Sequence, residues 1–120
     1  MNKFTFDKKE QKLLTVEIEG KVFRFNPHTL VVKMASEKFV KCQEPLINKM
    51  KKKNLSKKEL DDVVIRSCSL VRETVNNILG KGAYEKIFKN RTVDFYDHQN
   101  LITFLFNEIL AFSNEDSKKQ

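Results

Sequence analysis

The side chains best placed for acid–base chemistry lie just before the last apolar run of the chain. Asp94 and Asp97 bracket an aromatic pair, and His98 follows directly. Two carboxylates could support a hydrolysis, and a histidine could act as a general base if a second group oriented its ring. The sequence identifies no such group, and carboxylates before a helix are typical caps or turn formers. We therefore expect structural roles for Asp94 and Asp97, with a hydrolytic carboxylate pair as the alternative.

Two other polar groupings lack the surroundings that catalysis needs. Ser67 and Ser69 flank Cys68 but stand outside any Gly-x-Ser-x-Gly elbow, in which a sharp turn exposes the nucleophile. Asp61 and Asp62 fall in the first turn of a predicted helix, where carboxylates interact favourably with the positive end of the helix dipole. Both groupings therefore indicate helix structure rather than a reaction.

The two cysteines, Cys42 and Cys68, each fall in a helical apolar pattern. His28 and His98 form no metal-ligand spacing with either of them. We expect two buried thiols in a reducing compartment. The sequence thus predicts no catalytic residue, no metal and no cofactor, and an enzyme is the least expected class of protein.

The size and composition of the chain fit one globular domain, with 120 residues of which 40% are hydrophobic and 32% charged. No apolar run approaches the roughly 20 residues of a membrane helix, so no membrane partner is expected. The N-terminus carries charge but no apolar segment of the kind found in secretion signals, which favours a cytoplasmic location.

Positive charge is concentrated at one point of a chain whose net charge is +7. The run contains six lysines and no acidic residue: Lys49, Lys51, Lys52, Lys53, Lys57 and Lys58. Surfaces that bind nucleic acid usually combine lysine with arginine forks and stacking rings, which this run lacks. We interpret it first as a solvated connection between two helices, and second as a patch that binds a polyanion such as nucleic acid.

The elements that position these groups are a predicted β-hairpin followed by about four helices. The fold class is therefore mainly α (α+β), in a single domain over residues 1–113. The predicted bounds are about 13–25 for the hairpin and about 27–53, 57–79, 83–89 and 97–113 for the helices. The polar residues 114–120 are expected to form a disordered tail.

The hairpin register follows from placing a two-residue turn at Glu19-Gly20. Three cross-strand pairs result: Ile18 with Lys21, Val16 with Phe23, and Leu14 with Phe25. All five apolar members then lie on one face, because strand side chains alternate with a period of two. Phe4 and Phe6 alternate in the same way and are candidates for an additional edge strand.

The first helix is predicted to begin at Asn26-Pro27, because Asn is a favoured N-cap and Pro suits the first helical position. Its apolar stripe continues across Pro45, which favours either one kinked helix or two helices that meet there. The stripe consists of Val31, Ala35, Phe39, Cys42, Leu46 and Met50.

The second helix is predicted to begin with a capping box, Ser56 to Glu59, and to end at Gly80 or Gly82 in a left-handed conformation. Its buried stripe is flanked by Val63 and Leu79. The stripe consists of Leu60, Val64, Cys68, Val71, Val75 and Ile78. A short helix then presents three side chains to the core: Tyr84, Ile87 and Phe88.

The last helix is apolar on more than one face, so part of its surface is expected to contact another chain. The candidate partner or oligomer interface consists of Phe104, Leu105, Phe106, Ile109, Leu110 and Phe112. The alternative is that these six residues simply belong to the core. If they form an interface, Phe106→Asp should abolish oligomers or partner binding more than folding.

Three stretches follow one another along the chain. They read VEIEGKVFRFNP at residues 16–27, VNNILGKGAYEKIF at 75–88 and NRTVD at 90–94, ahead of the apolar last helix. In these landmarks and their order, over roughly residues 13–112, the chain resembles the tail assembly chaperone-type proteins of long-tailed phages and prophages of Gram-positive bacteria. The glycines of the second stretch follow a helix, so they do not form a dinucleotide-binding fingerprint.

The resemblance implies a small, largely helical, non-enzymatic protein that self-associates. It implies binding to the tape measure protein, which such chaperones coat while the tail tube polymerises around it. The expected partners are thus the tape measure protein, other copies of the chain and the tail tube protein, in the cytoplasm of a bacterial host. It also implies that ribosomal frameshifting near Lys118-Lys119 could extend the product.

Two alternative functions remain open at this stage. One is a small basic nucleic-acid-binding or regulatory protein that uses the lysine run, with an affinity that falls steeply with salt. The other is a different structural protein of tail morphogenesis, which would stay in mature particles, whereas a chaperone would not.

Overall fold

The computed structural model describes residues 1–6, 12–92 and 94–118. Within these ranges, a two-stranded antiparallel hairpin precedes four helices, which confirms the predicted α+β class and the order of elements. The elements are β1 (Leu14–Ile18), β2 (Lys21–Phe25), α1 (Leu30–Met50), α2 (Lys57–Leu79), α3 (Ala83–Ile87) and α4 (Phe95–Lys118).

The hairpin has the predicted register in all three cross-strand pairs. Glu19 and Gly20 both adopt positive φ, at 53° and 75°, as the favoured two-residue hairpin turns require. The apolar residues of the inner face are buried or half-buried. The additional strand is wrong, because Phe4 and Phe6 are unpaired and 79% and 82% exposed in the described part of the chain.

Helix α1 begins later than predicted. The side-chain oxygen of Asn26 accepts a 2.9 Å hydrogen bond from the backbone N–H of His28, which makes a turn instead of a cap. Thr29 caps the helix, with its Oγ1 3.3 Å from the backbone nitrogen of Val32. The predicted start is therefore wrong by three residues, and the helix ends at Met50 instead of residue 53.

Pro45 lies inside one continuous helix, so the single-helix alternative is confirmed. The inward face of α1 holds three buried residues: Val32, Ala35 and Phe39. Val31 and Cys42 were predicted to be buried and are exposed. The predicted stripe began one residue too early, and one residue is a rotation of about 100° on a helix.

Ser56 caps α2 as predicted, because its Oγ lies 3.1 Å from the backbone nitrogen of Glu59. The Glu59 carboxylate accepts from the Ser56 hydroxyl at 3.1 Å, where a capping box would use the Ser56 backbone N–H. Leu60 and Val64 were predicted to be buried, yet Leu60 is exposed and Val64 half-buried. The buried face consists of Val63, Ser67, Cys68, Val71, Thr74, Val75 and Ile78.

One hydrophobic core joins the hairpin, the first half of α1, the second half of α2, α3 and α4. The described residues 40–66 contribute no member to this core cluster. We call residues 40–66 the arm, which contains the second half of α1, the connection and the first half of α2. The rest of the described chain is called the body.

Helix α4 extends beyond its predicted bounds at both ends. It begins at Phe95, where Asp94 Oδ1 accepts a 2.8 Å hydrogen bond from the backbone N–H of Tyr96, so Asp94 has the expected capping role. It continues to Lys118, so the predicted disordered tail is wrong for residues 114–118. Residues 119–120 lie outside the described part.

Candidate functional site

Residues 80–82 form a corner between α2 and α3 that positions α3 against α4. Gly82 adopts a left-handed conformation, with φ 86° and ψ −3°, which a residue without a Cβ adopts at little cost. Asn76 of α2 reaches across the corner, and its Oδ1 accepts a 2.8 Å hydrogen bond from the backbone N–H of Tyr84. The corner thereby holds Tyr84 and Phe88 beside the start of α4.

His98 is the centre of a buried polar cluster, and its side chain is fully buried. Its Nδ1 lies 2.7 Å from the carbonyl oxygen of Asp94, and its Nε2 lies 2.6 Å from the hydroxyl oxygen of Tyr84. A carbonyl oxygen only accepts, so Nδ1 donates; in the tautomer that carries its proton on Nδ1, Nε2 accepts from the Tyr84 hydroxyl. The ring of Phe88 stacks on the imidazole with centroids 4.4 Å apart.

This cluster supplies the partner for His98 that the sequence could not identify. Burial is the main cause that raises the pKa of the Tyr84 hydroxyl, followed by the nearby Cys68. Burial also raises the pKa of the Cys68 thiol, followed by the charge of Asp94. Because the imidazole is closed off from solvent and both ring nitrogens have partners, the arrangement favours a structural role over a general base.

The candidate interface residues of the last helix divide into two groups. Leu105 is fully buried, and Phe106, Ile109 and Phe112 pack half-buried against the core. Phe104 and Leu110 are exposed, but they are six positions apart and therefore lie roughly 120° from each other around the helix. The six residues thus do not form one continuous exposed face.

Phe106 is a poor probe of an interface. Its ring packs edge to face on the buried Phe39, with centroids 5.3 Å apart. Phe106→Asp would therefore disturb the core as well as any partner surface. Phe104 offers a cleaner substitution because part of its ring already meets solvent.

A pocket of about 270 Å³ opens between the turn end of β1, α3 and the first half of α4. We call it the hairpin pocket. Its apolar lining consists of Ile18, Ile87, Phe88, Leu101 and Phe104. Its polar lining consists of Glu17, Glu19, Arg91, Asp97 and Asn100. An ion pair of 2.9 Å joins Arg91 to Asp97 at this rim.

A second concavity, the arm groove, runs between α1 and α2 with a volume of about 630 Å³. Its residues are Lys41, Cys42, Pro45, Leu46, Ile65, Arg66, Ser69, Leu70 and Glu73. Ile65 is 64% exposed, and Leu46 and Leu70 are half-buried beside it. Above the groove, a Lys38–Glu73 ion pair connects the two helices. The sequence pattern does not reveal this groove, since it places the exposed apolar surface on the last helix.

The lysine run lies at the far end of the arm. Lys51, Lys52 and Lys53 occupy the exposed connection between α1 and α2. Lys49, Lys57 and Lys58 line an open concavity together with three carboxylates, those of Glu59, Asp61 and Asp62. The acidic residues that the run lacks in sequence are thus adjacent to it in space, which weakens its attraction for a polyanion.

The described ranges hold no group of three or more His, Cys, Asp and Glu side chains placed to bind a metal ion. In the same part of the chain, no helix is both long enough and apolar enough to cross a membrane.

The hairpin, the paired helices, the corner helix and the last helix together define a small α+β domain with open, largely apolar concavities. The chain belongs to the family of unknown function DUF6673, whose model matches residues 29–120. The match begins at the cap of α1, so it includes all four helices of the described structure and leaves out the hairpin. Comparisons with curated proteins and with solved structures gave no match.

Proposed function

We propose that the chain is a non-enzymatic phage tail assembly chaperone that binds and coats the tape measure protein while the tail tube assembles. It acts in the cytoplasm of the bacterial host, where it also associates with other copies of itself and meets the tail tube protein. Two observations support this proposal. They are the sequence resemblance over roughly residues 13–112 and the apolar arm groove. The groove is the main support.

The arm groove has the chemistry that recognition of a helix needs. An amphipathic helix is bound through apolar side chains spaced three or four residues apart, which enter an apolar channel between two helices. Leu46 and Leu70 provide the floor of such a channel, and the exposed Ile65 provides one wall. Lys41, Arg66 and Glu73 place charges of both signs at the edges, so recognition depends on apolar anchors more than on one client sequence.

The experiment is an affinity capture of the full chain, tagged at its C-terminus, from cells that produce tails. The lysate is treated with nuclease, the beads are washed at moderate salt, and the retained proteins are identified by mass spectrometry. Ile65→Lys adds a charge and a flexible chain to the groove, and we expect it to reduce recovery of the tape measure protein at least tenfold. Val22→Lys is the matched control, because Val22 is an exposed β-branched residue on the outer face of the hairpin.

Each alternative predicts a different result. Nucleic acid bound before nuclease treatment and no retained protein after it would assign function to the lysine run, with binding that weakens steeply as salt rises. Recovery of the chain from mature particles would identify a structural tail component. Equal loss of the tape measure protein from both variants would contradict the arm groove as its binding site.

A further inference from the structure

We propose that the hairpin pocket receives the N-terminal segment of a second copy of this chain, residues 1–6. The proposal deepens the self-association included in the proposed function. Its support is independent of the arm groove, since it comes from three properties: the size of the pocket, its charge and the exposed aromatic rings of the N-terminus.

The pocket is large enough for an aromatic side chain. Its volume is about 270 Å³, whereas an apolar cavity of roughly 150 Å³ accepts a benzene molecule. Phe88 and Phe104 are among its apolar lining residues, and aromatic pairs prefer the offset or edge-to-face contacts that such walls provide. One phenylalanine ring and the backbone next to it therefore fit in the pocket.

The charge of the pocket is opposite to that of the chain as a whole. Its lining contains three carboxylates, on Glu17, Glu19 and Asp97, and one guanidinium, on Arg91, which gives a net charge of −2. The pKa of Arg91 is raised, mainly by its hydrogen bond to Asp97 and further by Glu19. In a chain of net charge +7, this rim attracts a cationic segment.

The N-terminal segment has the complementary features. Residues 1–6 read MNKFTF, so the Lys3 ammonium lies directly before Phe4 and three residues before Phe6. Phe4 and Phe6 contact each other, with centroids 5.0 Å apart, yet both remain about four-fifths exposed. The segment thus presents uncovered aromatic rings beside a positive charge, whereas the pocket offers apolar walls beside a net negative charge.

A second copy is the occupant that matches this pairing. None of the pocket-lining residues belongs to residues 1–6 of the same chain, and the exposed rings of that segment lie outside it. Two chains that exchange N-terminal segments would make the same contact twice, in the closed twofold arrangement that most homodimers adopt. Each copy would then fill its neighbour's pocket and bury its own phenylalanines there.

The test is sedimentation equilibrium of the full chain over a range of concentrations, with a thiol reductant to exclude disulfides through the exposed Cys42. The donor variant is Phe4→Ser with Phe6→Ser, and the acceptor variant is Phe104→Lys. Val31→Ser with Met34→Ser is the matched control, because it removes two exposed apolar side chains from α1. Circular dichroism verifies that each variant folds, and Glu17→Lys replaces Phe104→Lys if that variant does not.

We expect the parent chain and the control to associate, and the donor and acceptor variants to remain at 14.1 kDa or to associate at least tenfold more weakly. An equimolar mixture of the two variants should regain association, since one intact segment meets one intact pocket. A parent chain that stays monomeric, variants that associate like the parent, or a mixture that stays monomeric would each overturn the proposal. Capture of the tape measure protein is measured separately, so client binding can persist when this proposal fails.

Discussion

The body and the arm share helices α1 and α2 but differ in what covers those helices. In the body, Val71 and Val75 are fully buried because the hairpin, α3 and α4 pack against the same region. In the arm, Leu60 is 44% exposed and Ile65 is 64% exposed. Both lie on α2, the same helix that carries Val71 and Val75. In the arm the two helices pack mainly on each other, so they bury one narrow face, which includes the fully buried Val63, and leave their flanks in solvent.

The polar groups of the body and the arm also differ in how far they are buried. The body encloses His98, whose two ring nitrogens each have a hydrogen-bond partner. Such a buried network tolerates few alternatives because each member needs its partner. The arm carries its charges in solvent, at the lysine run and the groove edges. The body therefore specifies the fold, whereas the solvent-exposed positions of the arm can accept substitutions.

The largest expected difference concerns leucines in the two regions. Leu105→Ala in the body should lower the free energy of unfolding by about 2–5 kcal/mol, because it removes fully buried contacts and leaves a cavity. Leu60→Ala in the arm should cost less than about 1 kcal/mol, since part of that side chain already meets water. Urea unfolding followed by circular dichroism measures both. Similar losses would show that the arm belongs to the same cooperative core.

A second difference concerns the two tyrosines. Tyr84→Phe removes the hydroxyl that donates to His98 and leaves a buried acceptor without its partner, so we expect a loss of about 1–3 kcal/mol. Tyr96→Phe is the control, because Tyr96 is exposed at the start of α4, and it should leave the unfolding midpoint unchanged. If the two variants unfold alike, the Tyr84–His98 contact contributes little to stability.

The reactivities of the two cysteines compare the arm with the body in the unsubstituted protein. Cys42 is exposed in the arm groove, whereas Cys68 is buried and has a raised pKa. A thiol reagent acts on the thiolate, so we expect Cys42 to react at least tenfold faster than Cys68 at pH 8 and below. Alkylation followed by mass spectrometry of peptides gives both rates, and Cys42→Ser isolates the slow thiol. Equal rates would mean that the packing of α2 does not shield the Cys68 thiol from the reagent.

The smallest effect is an alkaline loss of stability from Tyr84. Its folded-state pKa is raised above the ordinary value of 10.0, so the folded state holds the hydroxyl proton more tightly than the unfolded state does. The resulting stabilisation is complete below pH 10 and disappears as pH rises through the folded pKa. In the Tyr96→Phe variant, phenolate absorbance of the single remaining tyrosine should therefore titrate with a midpoint above 10. A midpoint at or below 10 would contradict the burial of its hydroxyl.

The hairpin and the start of α2 were predictable because local chemistry alone decides them. Period-two alternation fixes the register around Glu19-Gly20, and Ser56 supplies a cap within its own turn. The start of α1 was not predictable in this way. Asn26 and Thr29 are both good caps, and the choice between them depends on a turn that Asn26 makes with His28.

The candidate sites depended on tertiary packing and were harder to predict. Leu105 and Phe104 are adjacent in sequence, yet one is in the core and the other lines a pocket, because the hairpin and α3 cover only one side of α4. The bond between Tyr84 and His98 joins α3 to α4 across the loop between them. One available signal was the pair Tyr84 and Phe88, which are four residues apart and therefore share one helix face.

The elongated shape of the structure has a hydrodynamic consequence. The structure extends 66 × 36 × 30 Å and has a radius of gyration of 17.6 Å, whereas a compact domain of this length has about 14 Å. An elongated particle experiences more friction than a sphere of equal mass, so a monomer should elute early from a size-exclusion column, where it could be mistaken for a dimer. Mass must therefore be obtained from light scattering or sedimentation equilibrium, neither of which depends on shape.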